Sequence, residues 1–445
     1  MKLLHKYKFI FFVFLGAILL MVDSFINKFP IVYSDTATFL DSGFNLETPF
    51  DRPITYGLFV RFFSLNGISL WFVVFSQSFI LSYLIFLLSN LIFDSKNYLK
   101  FGLITVFILS FLTGISWSAS QITPDIFTSI ALLAMILILF GTFPGKTKII
   151  LYFIFFFSVS MHMSHVLLFL IILIFIFLVK KYLIPKEIQA KRLSKIFLLL
   201  ILTFASIVTM ASAISKSKHV LFMGALVEHG ILKRYLDEHC AAKDYKICYY
   251  KDSLPKKAYQ FIWDEKSPFY KIGDWKGTKN DFTEIIRGTL TEPKFIALHI
   301  QESLKASIQQ LTMFKIGDGY GSFLQGTILY KRLTKHLPLD KKLYSQSRQS
   351  LSQMTYINGL NKMYTFVIYI SLISLFLVFI KNWIYLGLFL KKISFLIIFG
   401  VIINSWDCGT FANAIDRLGC KMIWLIPLLA TLSFLKLIDL KINKI

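Results

Sequence analysis

Long apolar runs separated by short polar gaps set the character of this chain. Ten runs stand out, at residues 9–25, 69–93, 101–118, 126–143, 149–159, 166–179, 196–213, 364–380, 393–405 and 422–438. A helix needs roughly 20 apolar residues to cross the hydrocarbon core of a bilayer, so the pattern predicts about ten transmembrane helices, the shorter ones tilted or borrowing flanking residues. The first run follows Lys2, His5, Lys6 and Lys8 and has no small-residue cleavage site behind it, so it reads as a retained helix rather than a signal peptide. The fold class predicted is an all-α polytopic membrane protein.

Composition agrees. Of 445 residues, 56% are hydrophobic and 47 are Phe, and a mean hydropathy of +0.65 is too apolar for a soluble domain of this length. The net charge of +23 would suit nucleic acid, but the lysines sit in gaps between apolar runs, where helix orientation needs them. Nucleic acid is therefore set aside as a partner. With the N-terminus inside, the inner gaps are 94–100, 144–148, 180–195, 381–392 and the tail after 436, each bearing lysine and together only three acids, Asp94, Glu187 and Asp439. This bias places both termini in the cytoplasm, and the Phe-, Ile- and Lys-rich composition fits a bacterial inner membrane.

The other face collects the polar chemistry. Residues 33–61, YSDTATFLDSGFNLETPFDRPITYGLFVR, carry four carboxylates (Asp35, Asp41, Glu47, Asp51) and two arginines (Arg52, Arg61), far more than a turn between two helices requires. Two short turns follow, with Asp125 in one and His162 and His165 in the other. A long polar segment and a final loop, SWDCGTFANAIDRLGCK, complete the outer face. Three parts result: an N-terminal membrane module at 1–214 holding the first outer loop, an outer segment at 215–361, and a C-terminal membrane module at 362–445. Apolar residues at helical spacing, with Pro293 at a boundary, predict that the outer segment is mainly helical. All four cysteines fall on this face, and disulfides Cys240–Cys248 and Cys408–Cys420 are the simplest pairing, with cross-pairing and zinc as alternatives.

Several side chains invite a functional reading. Asp35 is either a helix N-cap at SDTATFL or a reactive carboxylate. Arg52 and Arg417 have the forked donors that suit phosphate, against a role as plain interfacial anchors, which fits Arg61 better. Asp125 reads as an N-cap or a second acid, His165 as a ligand or an interfacial histidine, and Tyr56 as an aromatic hydroxyl in DRPITYG, the start of an amphipathic interfacial stretch at 54–63.

This layout resembles the GT-C superfamily of membrane glycosyltransferases, in particular bacterial relatives of the dolichyl-phosphate-mannose protein mannosyltransferases and of the lipid A aminoarabinose transferases. The likeness rests on the YSD acid after the first helix, the DRPITYG segment, the many spans, the large outer segment and, loosely, DRLG. It implies transfer of a sugar from a polyprenyl-phosphate carrier to a lipid, glycan or protein acceptor outside the cytoplasm. Asp35 would match the first-loop acid, and Arg52 and Tyr56 the segment behind it. Arg52 and Arg417 would hold the phosphate, and Asp35 would act as general base if its surroundings raise its pKa. The lone Ser34-Asp35 pair, in place of paired acids, leaves a divalent metal open. Polysaccharide polymerase or ligase, for which Arg234, Arg287 and Arg332 would matter, and lipid-linked-sugar flippase are the competing classes, with a non-catalytic scaffold beside them.

Overall fold

The computed structural model describes residues 2–93, 96–183, 189–381 and 383–442. Asp94 and Glu187, two of the three acids of the inner gaps, lie outside the described residues. Within them the chain is helical, and strand pairing is limited to isolated bridges of Ile31 with Gln121 and Tyr33 with Tyr320. Each apolar run falls on a helix: α1 (Lys2–Leu19), α5 (Leu70–Ile92), α6 (Tyr98–Leu112), α8 (Ile126–Phe140), α9 (Gly145–Val159), α10 (Met163–Leu178), α11 (Gln189–Glu228), α16 (Ile357–Lys381), α17 (Gly387–Phe411) and α19 (Leu425–Ile442). Between them lie α2 (Val22–Asn27), α3 (Ser34–Asn45), α4 (Thr55–Phe63), α7 (Ile115–Ser120), α12 (Ile231–His239), α13 (Lys279–Thr291), α14 (Pro293–Thr312), α15 (Ile328–His336) and α18 (Asp416–Ile423), with shorter turns elsewhere.

Five helical stretches are long and apolar enough to cross a bilayer: Leu70–Ile92, Lys191–Glu228, Ile357–Lys381, Gly387–Phe411 and Asp416–Ile442. These make the chain an integral membrane protein. α8 lies at the centre, with all fifteen of its residues buried. The helices around it show apolar side chains outward as well, Phe153 63%, Val208 77% and Phe376 64% exposed, because a helix facing lipid gains nothing from a polar outer stripe.

α11 runs unbroken for 40 residues, from the apolar bundle into the polar segment. There it packs into a second core built on Val220, Met223, Leu232, Phe261, Phe282 and Phe295. The Cys240–Cys248 disulfide closes a turn beside this core. The expected second disulfide is absent: Cys408 and Cys420 are free and buried. They face different neighbours, Cys408 Sγ toward Asn404 Oδ1 at 3.7 Å and Cys420 Sγ toward Ser118 Oγ at 3.6 Å. Spacing in sequence placed them in one loop, whereas each side chain packs into a separate helix contact.

The rest of the 215–361 segment returns to the 33–61 loop and stitches onto it. The Gln349 amide accepts from Val32 N and donates to Val32 O, its backbone N–H donates to Asn27 Oδ1, and all three bonds are 2.6–3.1 Å long. Asp340 caps α5, accepting from Leu70 N and Ser69 Oγ at 2.7 Å each, so a residue 270 positions away satisfies an amide the helix cannot. Asp41 has a structural part here, held by Arg332 at 2.7 Å and His336 at 3.0 Å.

The stretch read as an interfacial helix is indeed helical, α4, but Tyr56, Gly57, Phe59 and Val60 are buried. It crosses α3 where Gly43 meets Gly57. A Cβ on Gly57 would come within 2.7 Å of Gly43 N and 2.8 Å of Phe39 O, so the two backbones touch and only glycine fits. This crossing fixes the 46–54 loop, and with it Arg52. Gly57→Val should force the helices apart at a cost of about 1–3 kcal/mol, lowering the melting temperature of the detergent-purified protein, with Gly57→Ala falling in between. An unchanged melting curve in Gly57→Val would rule out the close crossing.

Candidate functional site

The site begins at a helix start. Tyr33, in extended backbone, is the N-cap residue of α3, and Thr36 Oγ1 accepts from Tyr33 N at 2.9 Å. Asp35 therefore stands in the first turn, two residues past the N-cap and free of capping duty, where the exposed amides favour negative charge. Both its oxygens are taken by guanidinium groups: Oδ1 lies 3.2 Å from Arg52 Nη1, and Oδ2 lies 3.1 Å from Arg417 Nη1. Residues 17 and 382 positions away in sequence thus meet on one carboxylate.

Each arginine has its own support. Arg52 is anchored by Asp51 Oδ2 at 2.5 Å and lies 5.2 Å from the Phe39 ring centroid. Arg417 opens α18, with its backbone N–H donated to Asp318 Oδ2 at 3.2 Å and its guanidinium 5.4 Å from the Tyr33 ring centroid. Arg417 Nε approaches Asp125 Oδ2 at 3.6 Å without a hydrogen bond, so one buried donor stays unspent. Asp125 holds the N-cap position of α8 but makes no capping bond; it accepts from Thr123 Oγ1 at 3.0 Å. A cavity of about 400 Å³ lies nearby, lined by Lys315, Asp318, Tyr320 and Asp416 among others but by none of Asp35, Arg52, Arg417 and Asp125.

The floor beneath is a buried polar lattice. The Tyr33 hydroxyl accepts from Gln121 Nε2 at 3.0 Å and Trp117 Nε1 at 3.2 Å, and Gln77 Nε2 donates to the carbonyls of Ala119 and Gln121. Tyr56 belongs to this layer: its ring packs against Phe39, and its fully buried hydroxyl reaches Gln77 Oε1 at 3.4 Å. His165 is also tied inward, to Thr128 Oγ1 at 2.7 Å and Ser158 O at 2.8 Å.

Electrostatics reverse one expectation. Burial alone would raise the Asp35 pKa, but Arg52 and Arg417 outweigh it and hold the carboxyl down at about 2. In this resting arrangement Asp35 is an ionised partner for two cations, not a poised base. Burial, reinforced by the charges of Lys421, Arg52 and Arg417, drives His162 down to about 3, so it is neutral at physiological pH.

Of the side chains singled out from the sequence, Asp35, Arg52, Arg417 and Asp125 converge. Arg61 turns away to Asn66 and the Gly43 carbonyl. Arg234 and Arg287 are exposed, and Arg332 is committed to Asp41. Sequence reasoning missed Asp407 and Lys421, only 2% and 1% exposed, with Asp407 Oδ2 lacking a hydrogen-bond partner. The signal was present: Lys421 follows Arg417 by one helical turn in an apolar setting, where an ionisable residue calls for an explanation. Among the described residues no group of three or more His, Cys, Asp or Glu side chains stands close enough to hold a metal ion. No family model, curated protein or solved structure matches this chain.

The two shifts make the protein acid-labile in a defined order. His162 has its pKa depressed on folding, so the unfolded chain binds a proton first, and stability present above about pH 6.5 declines below it. Asp35 is also depressed, and its contribution, present above about pH 4, is lost as pH falls toward 2. Melting temperature should thus fall in two stages on acidification, and His162→Gln should shrink the earlier one, to which His299, also lowered by burial, contributes as well. Identical pH–stability profiles for the variant and wild type would contradict this.

Proposed function

We propose that this chain is a GT-C-type glycosyltransferase of about ten spans, moving a sugar from a polyprenyl-phosphate carrier to a hydroxyl of a lipid, glycan or protein acceptor at the non-cytoplasmic face. The observation that supports it most is the meeting of Arg52 and Arg417 on Asp35 at the rim of an apolar helix bundle, with a polar cavity nearby that Asp318, the acceptor of Arg417 N, helps to line. A lipid-borne phosphodiester offers those arginines what Asp35 now supplies, an oxygen anion for two forked donors, and the free Arg417 Nε adds a further one. The gathering of arginines here, rather than at Arg234, Arg287 and Arg332, favours this class over a polymerase or ligase that works from the large outer segment.

The chemistry follows from the exchange of anions. As phosphate takes the guanidinium groups, Asp35 loses the partners that depress its pKa and becomes a stronger base. The acceptor oxygen attacks the anomeric carbon, the bond from that carbon to the phosphate oxygen breaks, the hydroxyl proton passes to Asp35, and polyprenyl phosphate departs with its charge held by Arg52 and Arg417. Exposed Phe, Ile and Leu along the helices offer the isoprenoid chain an apolar track, and the outer segment is the part free to select the acceptor.

The test is release of polyprenyl phosphate from a panel of polyprenyl-phosphate sugars by the purified protein. Asp35→Asn should lower turnover by about 10²-fold or more with little change in donor affinity, while Arg417→Ala should weaken donor binding as well. Full activity in Asp35→Asn would refute the assignment.

A further inference from the structure

α8 has two polar ends. One starts at Asp125 in the cluster just described. The other, about 22 Å away along a 15-residue helix, finishes at Gly141 in a second cavity of about 290 Å³, lined by apolar Leu137, Ile138, Phe143 and Leu151 together with Lys148, Lys191, Arg192 and Lys195. No carboxylate is among its lining residues, and among the described residues none pairs with these four cations. Gathering like charges around one cavity is unfavourable unless something offsets them.

Part of the offset is internal. Lys195 Nζ donates to the carbonyls of Ile138 at 2.6 Å and Gly141 at 3.2 Å, neutralising the negative end of α8. Arg192 lies 5.1 Å from the Phe140 ring centroid, but its Nη1 is buried with no hydrogen-bond partner. Lys392, from α17, lies 6.0 Å from the centroid of the same ring. α9 starts directly behind Phe143 with neither a side-chain cap nor an acid in its first turn, so its end also favours an anion. Lys148 and Lys191, exposed at the mouth, and Arg192, with its buried unpartnered Nη1, are left lining the cavity.

We infer that this cavity binds a phosphate-bearing anion, the headgroup of an anionic membrane lipid, with Arg192 as the forked ligand, Lys148 and Lys191 as charge partners, and the apolar wall receiving the start of the acyl chains. Basic pockets between membrane helices take such headgroups, and the mixture of cations and bare Leu, Ile and Phe fits an amphiphile better than a free ion. The site is separate from the Asp35 cluster and does not depend on glycosyl transfer.

Native mass spectrometry on the full-length protein in detergent tests it, using phosphatidic acid, phosphatidylglycerol and phosphatidylcholine of equal chain length. The anionic lipids should bind at least ~10-fold tighter than phosphatidylcholine, and the combined K148Q/K191Q/R192Q variant should lose that preference. K6Q/K8Q/K441Q, with equal loss of charge on exposed lysines, should keep it; Lys195 is left intact because it caps α8. Inorganic phosphate at millimolar concentration that displaces the lipid supports the site and shows that phosphate alone suffices, whereas failure to displace it supports a lipid-specific one. Equal binding of phosphatidylcholine by the wild type, or an unchanged preference in the triple variant, overturns the proposal. The wild-type comparison stands even if the variant does not fold.

Discussion

A carboxylate shared between two guanidinium groups from opposite ends of the chain is the constraint on which this end of the helix bundle depends. Asp35 carries its charge at a helix start that attracts anions, Arg52 reaches it through a loop clamped by a glycine crossing, and Arg417 reaches it from the helix that opens the last span. Removing any one would leave a desolvated charge with too few partners, which costs far more than the intact set contributes. The surrounding contacts make sense as scaffolding for this meeting: Gln349 fixes the backbone ahead of Tyr33, Asp318 fixes the start of α18, and Gln77 fixes the segment leading to Asp125.

The two ends of α8 solve opposite electrostatic problems with the same materials. At the Asp125 end acids and arginines alternate, so the cluster is nearly neutral and can exchange one anion for another at modest cost. At the Gly141 end the charge is of one sign, with backbone carbonyls and an aromatic ring as the partners the protein itself supplies. Between them lie fifteen buried residues without an ionisable group, all apolar from Ile130 onward, so neither cluster has a polar route to the other along this helix. That separation weighs against an ion-coupled transport pathway through the centre of the bundle.

Much of the architecture was legible because a bilayer enforces a simple rule. Every backbone amide must be paired within its own helix, so spans are written as uninterrupted apolar runs, and all ten runs read from the sequence fall on helices. The polar residues that interrupt this rule were equally visible, which is why Asp35, Arg52, Asp125 and Arg417 stood out. What the sequence did not reveal depends on distant contacts. Tyr56 looked exposed beside a polar loop but is sealed by Phe39 and Gln77; Cys408 and Cys420 looked like a pair but point into different helices; Asp407 and Lys421 looked like loop residues but are buried. The lowered pKa of Asp35 was hidden for the same reason, since it takes both arginines to outweigh burial.

The unbroken helix α11 has a mechanical consequence. At 1.5 Å per residue its 40 residues form a rod of about 60 Å, twice the thickness of the hydrocarbon core. Lys191 and Arg192 lie near one end of it, and the disulfide-closed module packs on the other. A second brace joins the same parts: α14 lies so close on α17 that a Cβ on Gly409 would come within 2.8 Å of the Ala306 carbonyl, and Ser303 Oγ meets Thr410 Oγ1 at 2.7 Å. Bundle and module are thus held at two points, so the rod cannot swing without shearing that glycine contact.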